Sequence, residues 1–316
     1  MKNILAAFAI IAAAASNAAG SGNWPLDETV LNNVLACQLD NGAWAKNIDK
    51  RKPFDEARRA KIMAAKSDAA SATIDNNATV SEIRYLVRYF AHTKDERARE
   101  AARRGVEWLL SVQLDNGGWA QFPHRGKGYW TQITFNDNAM RNVLGLLRDI
   151  ANGEGDFAIF DEATRARSRA AFDKGIDCVL KCQIRVDGKP TVWCQQHDRV
   201  TLKPASGRKY ELASYCSAES ADLVLLLMSI ENPSAEVKAA IEGAAAWFRA
   251  NRMDNGEWAR FYDLEECKPF YCDRSGVPKR NIEEIDPERR KGYSWFSSKP
   301  AKVLKKLDKP GKKRKK

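Results

Sequence analysis

The chain has 316 residues, 44% of them apolar and 29% charged, with 19 Gly and 11 Pro. That composition excludes a collagenous or low-complexity chain and is enough for a sizeable core. The net charge of +11 is mostly local, because residues 302–316 hold nine Lys and Arg against one Asp; the body is close to neutral, which argues against a nucleic-acid-binding protein.

Residues 1–18 read as a cleavable leader, with Lys2, an apolar run over 4–15 and small residues at 16–18. The run is too short to span a bilayer. A secreted or periplasmic protein with no integral membrane segment is therefore expected. Helices are predicted over 27–36, 79–92, 95–112, 138–151, 161–182, 217–230 and 234–251, and strand signals are sparse. Ile83, Leu86, Val87 and Phe90 fall at helical spacing, as do Met140, Val143, Leu144 and Leu147. Thr79 and Glu82 have the spacing of a capping box. Residues 184–212 and 260–300 form long irregular stretches, which in a compact helical domain are usually functional.

Two motifs recur along this order. QLDNGAWA (38–45) returns as QLDNGGWA (113–120), as MDNGEWAR (253–260) and, more weakly, as QIRVDGKPTVW (183–193). Asp-Asn-Gly is turn chemistry. The tryptophans at 44, 119, 193 and 258 are spaced 75, 74 and 65 residues apart, the period of a two-helix repeat. TIDNNAT (73–79) aligns with TFNDNAM (134–140), and SYCSAES (214–220) precedes a third apolar helix. The reading is all-α: three helix hairpins whose second helices start at one end of the molecule, with a fourth, partial unit. No linker interrupts the repeat, so one domain over 19–300 is expected, followed by a basic disordered tail over 301–316; a monomer is expected.

Seven cysteines show no zinc-binding spacing. Cys267 and Cys272 are the one local disulfide candidate, and buried free thiols are expected for most of the others.

Asp75, Asn76, Asn136 and Asp137 occupy equivalent helix starts. Asp and Asn are favoured N-caps, so capping is the plain alternative to function. Each start, however, carries more short oxygen-bearing side chains than one cap needs. Convergent carboxylate and amide oxygens suit a hard cation such as calcium, with water or substrate as the other ligands. Lys46, His124, Arg125, Lys127, Arg208, Lys209, Arg260 and Arg274, with Tyr129, Trp130 and Tyr210, are expected at the same end. Arginine binds carboxylates and aromatic faces stack on sugars, so an anionic ligand bridged by a cation is the functional reading.

The motifs NGAWAKN (41–47), TIDNNAT (73–79), NGGWAQFP (116–123), ITFNDNAM (133–140), TVWCQQHD (191–198), RKYELASYCSAES (208–220), RFYDL (260–264) and ERRKGYSW (288–295) together resemble the pectate lyases of polysaccharide lyase family 10. The resemblance covers about residues 36–300. It implies an (α/α)3 toroid, an incomplete (α/α) barrel, that cleaves polygalacturonate by calcium-dependent β-elimination to 4,5-unsaturated oligogalacturonides. It makes Asp75 and Asp137 the calcium-site carboxylates, with Asn76 beside Asp75. Arg208 becomes the base, and Arg260 and Arg274 hold substrate carboxylates; Lys46, from the basic residues expected at the same end, is read as a further substrate-binding cation. Lys209 is the chemically easier base, because arginine is so strongly basic. Ala45, Ala120 and Cys216 depart from the family pattern at positions of turn and packing. Two rivals stay open on the residues alone: an (α/α)-toroid glycoside hydrolase recruiting Asp75, Asp137 or Glu219, and a non-catalytic acidic-polysaccharide-binding protein.

Overall fold

The computed structural model describes residues 24–308; the leader expected over 1–18 and residues 309–316 of the expected basic tail lie outside the described residues. The helices are α1 (Glu28–Cys37), α2 (Glu56–Ala64), α3 (Val80–Thr93), α4 (Glu96–Ser111), α5 (Ala139–Asn152), α6 (Glu162–Cys182), α7 (Ser217–Leu227), α8 (Ala235–Ala250), α9 (Pro287–Gly292) and α10 (Lys299–Leu307). In one arc α1, α4, α6 and α8 pack as successive neighbours; in a second, α3, α5, α7 and α10 do the same. The second arc is inner: α7 buries nearly every side chain, and α5 buries Val143, Leu144, Leu146 and Leu147 on a broad face. Of the outer helices, α4 buries a stripe that includes the small residues Ala98, Ala101, Ala102 and Gly105. The architecture is the (α/α) toroid that the resemblance implies, built from the hairpins read in the repeat, as an open arc rather than a closed barrel.

One device repeats at every outer-to-inner crossing. The indole Nε1 of Trp44, Trp119, Trp193 and Trp258 donates to Val34, Leu109, Val179 and Phe248 carbonyls of the preceding outer helix, at 2.7–2.9 Å. Gln38, Gln113 and Gln183 each reach the next outer helix, donating to Ala101, Ala171 and Ala240 carbonyls at 2.9 Å. The turn glycine is obligatory at Gly117: its φ is +92°, and a Cβ there would stand 2.1 Å from the Lys174 carbonyl oxygen.

Three helices were not expected from the sequence. Short α2 buries no residue, so it has no apolar period to read. The six-residue α9 lies in the long 260–300 stretch. The third corrects the tail: residues 299–307 form α10, with Pro300 and Val303 buried against the core and the helix packed on α7 and α8. It supplies the inner helix of the fourth unit. The capping box at Thr79 does not form. Its hydroxyl donates instead to the Thr73 carbonyl at 2.9 Å, while Glu82 pairs with buried Lys50 at 2.8 Å. All seven cysteines, Cys267 and Cys272 included, are unbridged.

The crossings at one end are long: 38–79, 112–138, 183–216 and 251–298. Two-residue strands tie them together, Ile133–Thr134 to Gln196–His197 and Tyr215–Cys216 to Phe261–Tyr262. A small second apolar cluster of Tyr210, Phe261, Phe270, Tyr271 and Trp295 lies beneath the last two. Every candidate site residue but Glu219, which lies in the first turn of α7, falls on these four crossings.

Candidate active site

The helix starts separate into two kinds. Outer helices α1, α4, α6 and α8 each have a side-chain cap, from Asp27, Asp95, Asp161 and Ser234. Inner helices α3, α5, α7 and α10 have none. The Asp and Asn residues before α3 and α5 are therefore not caps, which removes the plain alternative. They also sit on strained backbone: Asn76, Asn77, Asp137 and Asn138 all have φ between +51° and +63°. Pairs of non-Gly residues in that region persist only where the surroundings hold them, and such strain collects at functional sites.

The two single-turn helices Asp75–Asn77 and Asn136–Asn138 pack directly against each other. Asp75 is buried and pairs with Lys46 through Oδ2, while its Oδ1 accepts from the Asn76 amide at 3.0 Å. Asn76 is exposed and reaches Asn47 Oδ1 at 3.0 Å. Asp137 is exposed, and Asn136 Nδ2 donates to its Oδ2 at 3.0 Å. The Asp137 carboxyl is pushed up, first by desolvation in its crowded surroundings and then by the negative charge of Glu219, with Arg260 opposing and Asp75 adding to the rise.

From Asn136 a buried chain runs across the site. Asn136 Oδ1 accepts from Gln195 Nε2 at 3.0 Å, and the same Gln195 nitrogen donates to Glu219 Oε1 at 3.0 Å. Glu219 is paired with Arg260, which lies 12% exposed. Burial pushes the Glu219 carboxyl up, but Arg260 and the Cys216 thiol outweigh it and hold Glu219 below its ordinary value. Arg260 also lies 4.7 Å from the centre of the Tyr293 ring. Arg208, half-buried, forks onto Glu211: Nε to Oε2 at 2.8 Å and Nη2 to Oε1. Desolvation lowers the Arg208 pKa, but the hydrogen bond and charge of Glu211 prevail and hold it above the ordinary arginine value. Lys209 is exposed. Arg274 stands at the margin, exposed and paired with Glu288 at 3.2 Å, within electrostatic reach of Tyr210 and Arg208.

Asp75, Asn76, Asp137, Lys46, Arg208 and Arg260 are thus joined through direct contacts, charge coupling or packed neighbours, and Arg274 is peripheral. Sequence reasoning missed the supporting residues Gln195, Glu211 and Tyr293, although the motifs TVWCQQHD, RKYE and GYSW contain them. Among the described residues no three His, Cys, Asp or Glu side chains cluster tightly enough to hold a metal alone. The donors at the two helix starts are all oxygens. Asn77 Oδ1 and Asn138 Oδ1 are buried there without a hydrogen-bond partner. This oxygen-rich, ligand-poor arrangement fits a hard cation completed by water and substrate.

The profile of the pectic acid lyase family matches residues 38–257 and 253–304. A search of curated protein sequences returns no match. Two solved structures are similar across nearly the whole chain. One is a family 10 polysaccharide lyase from Cellvibrio cellulosa, 29% identical with a TM-score of 0.81, covering 92% of this chain and 93% of that one. The other is a substituted form of a family 10 lyase from Cellvibrio cellulosa in complex with trigalacturonic acid, also 29% identical at TM-score 0.81, covering 92% and 94%. The repeated toroid, the uncapped acidic helix starts and these matches agree: the chain belongs to the pectic acid lyases, polysaccharide lyase family 10.

Proposed function

We infer that this chain cleaves polygalacturonate by calcium-dependent β-elimination, giving 4,5-unsaturated oligogalacturonides. The observation that carries the reading is the meeting of two uncapped, strained acidic helix starts with a pair of arginines joined to them through Gln195, Glu219 and Tyr293. The trigalacturonic acid held by the Cellvibrio relative supports the substrate class.

Asp75, Asn76 and Asp137 would hold the calcium, which when bound neutralises a uronate carboxylate and makes the adjacent C5 proton more acidic. Lys46 lies against Asp75 and, with Arg260 and Arg274, supplies positive charge for substrate carboxylates. The negative charge that develops on the carboxylate is stabilised by such fixed cations. Arg208, a guanidinium at rest beside Glu211, first releases a proton to solvent and as the neutral guanidine takes the C5 proton. The C5–H electron pair becomes the C4–C5 double bond, and the C4–O pair leaves with the glycosidic oxygen, which gains a proton from solvent. A hydrolase using Glu219 as acid is disfavoured, because Arg260 holds that carboxyl ionised. The catalytic unit is read as residues 19–300 extended by α10. The 1–18 leader fits export, because a polymeric substrate does not cross a bilayer.

The test is an assay on polygalacturonate, following ultraviolet absorbance of the unsaturated product with and without chelator. Absorbing product that disappears with chelator and returns with calcium supports the reading. Cleavage that yields only reducing ends overturns it.

A further inference from the structure

The motif ERRKGYSW has no role in the reaction so far. Its Tyr293 follows α9 and lies half-buried beside both site arginines. The ring centre is 4.7 Å from the Arg260 guanidinium carbon and 5.8 Å from that of Arg208. Trp295 at 4.8 Å, Tyr210 at 5.4 Å and Phe261 at 6.2 Å pack around the ring. The Tyr293 hydroxyl donates to Glu211 Oε1 at 2.8 Å.

Glu211 is 3% exposed, and both of its oxygens are doubly occupied. Oε2 accepts from the Arg208 amide at 3.1 Å and from Arg208 Nε at 2.8 Å; Oε1 accepts from Arg208 Nη2 and from Tyr293. The backbone closes the same loop, Glu211 N donating to the Arg208 carbonyl at 2.7 Å and Gly207 N to the Glu211 carbonyl at 2.8 Å. A carboxylate so saturated has little left to offer a substrate. Its one evident task is to fix Arg208, whose Nη1 remains as the nitrogen not engaged with Glu211.

We propose that Glu211 and Tyr293 are positioning residues for the elimination, together aiming Arg208 through Nη1 and setting its spacing from Arg260. The proposal rests on the reading of Arg208 as the base. A base oriented by a third group is the general arrangement for proton abstraction. Glu211 favours the guanidinium form of Arg208, so Arg208 must first release a proton to solvent, and the charged pair is restored when it takes the C5 proton. Tyr293 holds the carboxylate by its hydroxyl and both guanidiniums by its face.

The test compares Glu211→Gln, Tyr293→Phe and Arg208→Ala in the full chain. Turnover on polygalacturonate, binding of trigalacturonate by calorimetry and melting temperature are measured for each. Glu211→Gln keeps the shape but removes the charge; kcat should fall on the order of 10²-fold, as misaimed catalytic groups do. KM and trigalacturonate affinity should stay within about 3-fold, because ground-state binding is untouched. Tyr293→Phe keeps the ring and loses the hydroxyl, and kcat should fall roughly 10-fold with the same split. Should Glu211→Gln fail to fold, Tyr293→Phe carries the test alone. Variants that keep wild-type kcat, or that lose affinity in step with kcat, overturn the proposal while Arg208→Ala is inactive. If Arg208→Ala itself turns over normally, the assignment of the base fails, and the positioning proposal fails with it.

Discussion

Arg260 and Arg274 carry the same charge in different surroundings, and the surroundings decide what each substitution does. Arg260 is buried against Glu219, so Arg260→Ala strands a buried carboxylate. Breaking such a pair costs about 3–5 kcal/mol, and the variant should melt several degrees lower as well as turn over poorly. Arg274 is exposed with Glu288; Arg274→Ala should leave the melting temperature unchanged and raise KM alone. Thermal scans beside kinetics on polygalacturonate separate the two, and equal melting losses would contradict this account. Asp137 makes the complementary case. It is exposed and caps no helix, so Asp137→Ala should keep the fold while calcium-supported activity drops by on the order of 10²-fold or more, the range for removing a group that stabilises developing charge. Calorimetric calcium binding that survives Asp137→Ala undiminished would remove this residue from the cation site.

At the scale of elements, the crossings are held by buried polar groups. His197 lies in the short strand paired with Ile133–Thr134. Its Nδ1 meets the Leu202 carbonyl at 2.9 Å, and its Nε2 accepts from the Cys194 amide at 3.1 Å. Burial pulls its pKa down to about 4. The unfolded chain protonates near the ordinary value of about 6.5, and the folded chain only near 4, so between these values the unfolded state binds more protons. Stability is therefore complete above about 6.5 and declines as pH falls toward 4, by about 3 kcal/mol for this residue. Chemical denaturation from pH 7 to pH 4 should show that decline, and His197→Gln should flatten it; an equally steep variant would remove His197 as the cause. Gln113 offers a second check. It donates to the Gly117 and Ala171 carbonyls, and Gln113→Ala should cost about 1–3 kcal/mol by leaving both unpaired. The repeated QxDNGxW motif made these turns and their tryptophans legible in the sequence. The glutamine's reach to the next outer helix was not, because only the fold brings Ala171 beside it. The helix-start carboxylates were legible from repeat equivalence. Their supporting shell of Gln195, Glu211 and Tyr293 was not, since these act across separate crossings with no shared spacing.

The whole molecule is an open arc, and an open arc must end. Lys-rich residues 299–307 look like the start of a solvated tail, because four lysines in nine residues obscure the apolar positions. In three dimensions those positions, Pro300 and Val303, face α7 and α8, and the lysines point the reading the wrong way. Lys299 pairs with Asp222 of α7 at 2.5 Å, and Arg249 of α8 pairs with Asp308 at 2.8 Å. α7 is buried on nearly every side, so removing α10 exposes it along one of them. Burying a residue such as Val303 contributes about 1.5–3 kcal/mol, and the exposed surface would also favour association between chains. Two truncations separate α10 from the rest of the tail. Ending the chain after Asp308 removes only residues 309–316, six of them basic, and should leave melting temperature and turnover unchanged. Ending it after Ser298 removes α10, and should lower the melting temperature markedly and produce aggregates on size-exclusion chromatography. Because the crossing over 251–298 leads directly into α10, that second variant should also lose activity through displaced Arg260. Two truncations that melt alike would mean that α10 contributes nothing to the arc.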